Sequence, residues 1–176
     1  MRTTAYSLGI FLLLGLALTG CGAASHESAL LNNYVPARGM RVELGKVSNA
    51  TGQAPTVDGE VLDIERLLAE KLTEKLSDDN LLWAGGSDRR LVLSSRITEY
   101  EPGDAFKRWL LPGWGSTVVA VEGELRDDTD AVVATVRARR TVSFGGAYTI
   151  GAWRSVFGSV ADDIVSELRT KIARSE

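Results

Sequence analysis

Three segments of the chain alternate apolar and polar side chains, and this period of two constrains the fold more than any other feature of the sequence. The segments are residues 90–100, 117–127 and 131–144. Because successive side chains of a strand point to opposite faces of a sheet, the alternation predicts three strands with one covered face and one solvent-exposed face. The polar stretch 127–130 (DDTD) predicts a tight turn, so the last two strands are expected to form a hairpin.

The covered face is predicted to be apolar and the exposed face to be charged. The residues expected to point inward are Leu91, Leu93, Ile97, Val119, Val121, Leu125, Val132, Ala134, Val136, Ala138 and Val142. The residues expected to point outward include Glu122, Glu124, Arg126, Thr135, Arg137, Arg139 and Thr141. Glutamates and arginines of the two hairpin strands can pair across the exposed face, although such pairs add little stability.

Two other segments repeat apolar residues every three or four positions and predict amphipathic helices. The first runs from Glu60 to Leu76 with Asp58 as its N-cap, and the second runs from Trp153 to Ala173. The apolar stripe of the second helix consists of Trp153, Phe157, Val160, Ile164, Leu168 and Ile172. Asp162 and Asp163 are expected to lie outside this stripe. With a short strand at 40–47, the prediction is an α+β fold of order β-α-β-β-β-α, a mostly antiparallel sheet with both helices packed on one face.

The N-terminus is predicted to be a secretion signal. A positive end is followed by an apolar run of eleven residues from Leu8 to Leu18, which is shorter than the ~20 residues of a membrane-spanning helix. An ordinary cleavage site is the alternative, because Ala17 and Thr19 partly supply the small residues that it needs. Cys21, the sole cysteine of the 176 residues, favours lipid attachment over that alternative.

The residues Leu18, Thr19, Gly20 and Cys21 resemble the lipobox of bacterial lipoproteins. The resemblance implies that the Cys21 sulfur receives a diacylglyceryl group, that residues 1–20 are removed, and that a fatty acid such as palmitate acylates the new N-terminus. Two or more acyl chains hold a protein stably on a membrane. Gly22, rather than an aspartate, follows the cysteine, which implies sorting to the periplasmic side of the outer membrane in a Gram-negative host.

The mature chain is predicted to have two parts. Residues 21–38 lack sustained periodicity and are predicted to be a lipidated flexible tether, and residues 39–176 are predicted to be a single periplasmic domain. Removing residues 1–20 takes away one charged residue, Arg2, and leaves 19 basic against 23 acidic residues. This mildly acidic balance argues against a nucleic acid as the main partner.

No catalytic or metal-binding pattern is found in the sequence. The one histidine, His26, lies in the predicted tether, and the one cysteine is used for lipid, so the usual nucleophile–histidine and zinc patterns lack their residues. We expect no enzyme activity, metal or cofactor. One alternative stays open: a polymer hydrolase that uses a pair of carboxylates, for which Glu99, Glu101 and Asp104 are the candidate catalytic residues. We interpret these three residues instead as part of a solvated loop.

The stretch 106–114 (FKRWLLPGW) is unusually apolar for a connection between strands. Three interpretations are open: a plug folded onto the core, a contact with a protein partner, or a contact with the membrane interface. The candidate interface residues are Arg108, Trp109, Leu110, Leu111 and Trp114.

Arginines on the last strand form a second candidate surface. Arg137 and Arg139 are expected on the exposed face of the sheet. Their simplest interpretation is a solvated face, and the alternative is a docking surface for an anionic partner such as peptidoglycan or lipid headgroups.

Residues 108–146, RWLLPGWGSTVVAVEGELRDDTDAVVATVRARRTVSFGG, resemble a family of bacterial lipoproteins known as domain of unknown function 4410. Arg108, Gly113, Gly115, Asp127 and the pair at 145–146 occupy the positions of the family pattern. Asp130 stands where the family often has a hairpin glycine. The resemblance implies the fold, but it implies no chemical reaction, because none is associated with the family name.

Together these features predict a non-enzymatic lipoprotein that acts as a binding or assembly module. Its partner is an unknown protein or a second copy of the chain, reached through the apolar loop or the exposed face of the sheet. The alternatives are a structural envelope factor that oligomerises or binds peptidoglycan and, less favoured, a hydrolase of envelope polymers.

Overall fold

A five-stranded sheet forms the centre of the structure, which is a computed structural model describing residues 24–30, 34–35, 39–86, 89–111, 113–143 and 151–173. The bounds of the described elements are β1 Ala24–Leu30, β2 Arg41–Asn49, β3 Thr56–Val57, β4 Glu60–Val61, α1 Ile64–Asp78, β5 Arg90–Glu101, α2 Ala105–Leu110, β6 Thr117–Arg126, β7 Val132–Val142 and α3 Ala152–Ala173. The strands of the five-stranded sheet lie in the order β1-β7-β6-β5-β2.

The sheet confirms the predicted α+β class. Strands β5, β6 and β7 pair antiparallel in sequence order, and β1 adds to β7 antiparallel. Strand β2 pairs parallel with β5, which requires a crossover connection, and α1 lies in that connection. The sheet is therefore mixed at one edge and antiparallel elsewhere.

Both long helices cover the same face of the sheet, as predicted. The apolar stripes of α1 and α3 pack on the inward side chains of the strands and form one core. Its fully buried members include Val42, Leu68, Leu72, Leu91, Leu93, Ile97, Val119, Phe157, Ile164 and Leu168. The period of two in the strands and the period of 3.6 in the helices thus identify the two surfaces that meet.

The first helix begins later than predicted, at Ile64 instead of Glu60. Asp58 and Gly59 have φ angles of 53° and 85° and form the turn of the small hairpin β3–β4, as an Asp-Gly pair favours. The N-cap is Asp63, whose carboxylate accepts a hydrogen bond of 2.9 Å from the backbone N–H of Arg66. Asp58 is therefore a turn residue and not the N-cap.

The prediction of a flexible tether over 21–38 is wrong for Ala24–Leu30, which form the edge strand β1. Without β1, the backbone N–H and C=O groups along one side of β7 would have no strand partner, and pairing satisfies them. Backbone hydrogen bonds are the main source of stability for an edge strand. Strand β1 therefore forms here without the regular apolar alternation of the inner strands.

The inward residues of β7 differ from the prediction at both ends of the strand. A bulge between Leu125 and Arg126 shifts the register, so Val133 is buried and Val132 is only half-buried. At the other end Arg140 lies on the helix-covered side and donates from Nε and Nη2 to the two carboxylate oxygens of Asp163. Asp163, which was predicted to lie off the packed stripe of α3, is buried, with 6% of its surface exposed.

Candidate functional site: an apolar loop between two strands

The connection from β5 to β6 holds a short helix, α2, and its sequence explains why the helix begins there. Asp104 is the N-cap, and its side chain accepts hydrogen bonds from the backbone N–H groups of Phe106 (2.9 Å) and Lys107 (3.0 Å). These two bonds hold the pKa of the Asp104 carboxyl below its ordinary value, and the bond from the Lys107 N–H has the larger effect. The backbone N–H of Asp104 donates to the carbonyl oxygen of Gly115 at 2.9 Å, which joins the two ends of the loop.

Arg108 stabilises this loop from within. Its side chain is buried, and Nη1 donates to the carbonyl oxygen of Gly115 (2.7 Å) and to Oγ1 of Thr117 (2.8 Å). The Thr117 hydroxyl in turn donates to the carbonyl oxygen of Pro102 (2.8 Å). Burial lowers the pKa of Arg108, and the nearby Asp104 carboxylate partly opposes that change. The prediction that Arg108 belongs to the interface is wrong, because the guanidinium faces inward to satisfy these oxygens.

Two glycines make room for the buried guanidinium. Gly103 and Gly115 both have φ angles of 70°, in the left-handed region that glycine adopts at no steric cost. A Cβ atom at Gly103 would lie 2.5 Å from Nη1 of Arg108, and one at Gly115 would lie 2.7 Å from Cβ of Lys107. The close approach of these chain segments therefore requires glycine at both positions.

The apolar side chains of the loop point into solvent. The exposed fractions are 68% for Phe106, 64% for Trp109, 55% for Leu110, 59% for Leu111 and 49% for Trp114. The rings of the first two have centroids 6.0 Å apart. Of the three interpretations of this stretch, the core plug is excluded, because its apolar residues are the exposed ones and its arginine is the buried one.

The apolar loop, defined as residues 103–111 and 113–116, is thus a fixed scaffold with an apolar outer surface. Lys107 belongs to that surface, with Nζ 5.8 Å from the centre of the Trp114 ring. Solvent-exposed apolar side chains on a hydrogen-bonded frame are prearranged for contact, because ordering them on binding costs little further entropy.

The arginines of the exposed sheet face already have carboxylate partners. Glu122 lies between Arg96 (2.6 Å) and Arg137 (3.1 Å), and Glu99 binds Arg139 (2.8 Å). The hydrogen bond from Arg96 is the main reason that the pKa of the Glu122 carboxyl lies below its ordinary value. The predicted pairing of Arg137 with Glu122 is present. Arg139 pairs with Glu99 because it lies opposite Ala120, one strand away from β5.

A shallow groove of about 370 Å³ crosses this face between β2 and β7, and Arg96, Glu122 and Arg137 line part of it. The positive charges of these arginines are largely neutralised by the paired carboxylates. Docking of an anionic partner on this face stays a prediction. Within the described ranges, no group of three or more histidine, cysteine, aspartate or glutamate side chains could hold a metal ion.

The carboxylates proposed for a hydrolase have structural partners. Glu99 binds Arg139 and Asp104 caps α2, so two of the three candidates serve the fold. In the part of the chain that the structure describes, no helix has both the length and the apolar character needed to cross a membrane. The lipobox residues Leu18, Thr19 and Gly20 and the predicted lipidation site Cys21 lie outside the described residues.

Comparisons with known proteins agree with the fold. The sequence model of the family described as "Domain of unknown function (DUF4410)" matches residues 42–146. The PelC dodecamer from Paraburkholderia phytofirmans is similar to this chain with a TM-score of 0.56 and 20% identity, over 83% of this chain and 97% of that chain. A point variant of the same dodecamer gives 0.57 and 21% over the same shares.

A third crystal structure, a DUF330 protein from Xanthomonas campestris, gives a TM-score of 0.46 and 15% identity over 80% of this chain and 91% of that chain. At these identities the PelC likeness shows a shared fold and nothing more. A comparison with curated proteins gives no match.

Proposed function

This chain belongs to the DUF4410 family, and we propose that it is a lipid-anchored protein of the outer membrane that acts as a non-enzymatic docking module on the periplasmic side. The anchor is the acylated Cys21 at the end of the lipobox. The docking element is the apolar loop, whose outer surface is formed by Phe106, Trp109, Leu110, Leu111 and Trp114.

One observation carries this proposal: the loop has the guanidinium of Arg108 inside and its large apolar side chains outside. Keeping Arg108 buried requires two hydrogen bonds, two glycines in left-handed conformations and a capped helix. A loop that needed only to connect β5 to β6 would be stable with polar side chains at its surface. The exposed tryptophans, residue types that dominate binding surfaces, therefore point to a contact that is made in the cell.

In vivo photo-crosslinking tests the proposal. We expect a photoreactive amino acid at Leu110 of the full-length protein to capture one dominant species, protein or lipid, because the side chain is held outward on a rigid frame. The matched control is the same probe at Asp128, an exposed residue of the hairpin turn between β6 and β7, which we expect to capture little. Equal diffuse labelling from both positions would contradict a docking role for the loop.

Self-association is a second candidate role. Within the described residues β1 pairs with β7 on one side only, and an edge strand offers backbone groups that a second copy can bind. The PelC proteins with a similar fold form dodecamers. Sedimentation velocity of the detergent-solubilised lipoprotein across a concentration series would show a larger species if this role holds, and a monomer at all concentrations would exclude it.

A further inference from the structure

The register of the sheet aligns four strands in one row near one end of the domain. Ala24 of β1 lies opposite Arg140 of β7, which lies opposite Val119 of β6, which lies opposite Tyr100 of β5. Strand β1 begins at Ala24, whereas β5 ends one residue beyond Tyr100. The start of β1 and the apolar loop are therefore at the same end of the sheet, which we call the loop end.

The spacing of strands places the lipid anchor close to this loop. Neighbouring strands lie about 4.8 Å apart, so the first residue of β1 is roughly 10 Å from β6 and roughly 14 Å from β5 across the sheet. Cys21 precedes Ala24 by three residues, which reach at most about 11 Å. Acyl chains on Cys21 therefore enter the bilayer beside the loop end and not beside the opposite end.

Exposed apolar side chains are concentrated at the same end. Among the described residues, seven large apolar side chains are exposed: Val35, Val61, Phe106, Trp109, Leu110, Leu111 and Trp114. Five of these seven belong to the loop. A sixth, Val61, lies just before α1, whose first turn contacts the end of β2: Oε1 of Glu65 accepts a hydrogen bond of 2.6 Å from the backbone N–H of Asn49.

We propose that the apolar loop lies in the headgroup region of the membrane leaflet that holds the acyl chains on Cys21, which names the partner of the docking site proposed above and rests on that proposal. Tryptophan rings suit the membrane interface because one side of the ring system is apolar and the indole N–H binds water or headgroups. Lys107 beside Trp114 adds a cation that anionic headgroups attract. The anchor and the loop then form two contacts that fix the domain with its loop end toward the bilayer.

Quenching of tryptophan fluorescence tests this orientation. The full lipidated chain is reconstituted into vesicles of phosphatidylethanolamine and phosphatidylglycerol with brominated acyl chains, which quench only tryptophans at the membrane. We expect the tryptophan emission of the wild-type protein to be quenched. In the double variant Trp109→Phe plus Trp114→Phe, we expect more than half of this quenching to be lost. Trp109 is 64% exposed and Trp114 is 49% exposed, so this variant is expected to keep its melting temperature.

The matched control is Trp83→Phe. Trp83 hydrogen-bonds through its backbone N–H to the carbonyl oxygen of Val42 at the start of β2, and that end of β2 lies away from the loop. We expect the emission of this variant to be quenched by at least as large a fraction as that of the wild-type protein, because Trp83 contributes unquenched emission.

Two results would overturn the membrane contact: no quenching of the wild-type protein, or equal quenching of the double variant and the wild-type protein. Combined with a dominant protein captured from Leu110, either result rejects the membrane as partner and leaves the docking function standing. Combined with no captured species, either result rejects both.

Discussion

Asp163→Ala is expected to lower the free energy of unfolding by about 3 kcal/mol, because it leaves the Arg140 guanidinium against the core without its carboxylate. Asp163 is 6% exposed and accepts two hydrogen bonds from Arg140. The Arg140 side chain keeps 31% of its surface exposed, so water compensates part of the loss and the value lies at the low end for a broken buried pair. For a chain of this length the melting temperature should fall by roughly 10 °C.

The neighbouring residue supplies the control for this prediction. Asp162 is on the same helix and binds Nζ of Lys75 at 3.1 Å, but its side chain is 64% exposed. Asp162→Ala should therefore leave the urea unfolding curve close to that of the wild-type protein. Similar unfolding curves for the two variants would show that the pair between β7 and α3 does not contribute as its geometry indicates.

Arg108→Met is expected to cost about 2 kcal/mol of stability. Methionine fills a similar length of apolar space, but it removes the charged donor from the Gly115 carbonyl oxygen, which keeps its bond from the Asp104 N–H, and from Oγ1 of Thr117. Hydrogen bonds to a charged group contribute about 1.5–3 kcal/mol each, and the bond that Gly115 keeps reduces the loss. The Thr117 hydroxyl keeps its bond to Pro102, which limits the loss. Chemical denaturation followed by circular dichroism measures the change.

Lys107→Met is the matched control, because it makes the same substitution one residue earlier at an exposed position of α2. We expect little change in its stability. We also expect Arg108→Met to weaken capture from Leu110 more than Lys107→Met does, because only the former removes the internal support of the loop. A destabilisation by Lys107→Met as large as that by Arg108→Met would contradict the assignment of Arg108 as the stabilising residue.

The inner part of the fold could be predicted from the sequence because its strands and helices carry strong periods. Leu91, Leu93 and Ile97 mark β5 by alternation, and the six-residue stripe of α3 marks the helix that covers them. The edge strand β1 lacks such a signal, since its side chains need not alternate to pair through the backbone. Arg140 on the covered face was also not predicted, because its inward position depends on Asp163, a partner distant in sequence.

The loop could be located from its composition, but its orientation could not. Charged residues usually lie outside and apolar residues inside, and here Arg108 and Trp109 reverse that rule. The signals for the reversal are Gly103 and Gly115 on either side of α2 with Asp104 as its cap. Their meaning depends on the short distances that fold the loop around the guanidinium, and a single sequence does not show those distances.

Acylation of Cys21 underlies both the proposed function and the inferred orientation of the loop, and metabolic labelling with a palmitate analogue tests it most directly. Wild-type protein and Cys21→Ser are expressed at equal levels, labelled in cells and compared after purification. We predict strong incorporation into the wild-type protein and none into Cys21→Ser, which should accumulate as an uncleaved precursor. Equal labelling of both forms, or no labelling of the wild-type protein, would contradict anchoring at Cys21 and the orientation of the loop that is inferred from it.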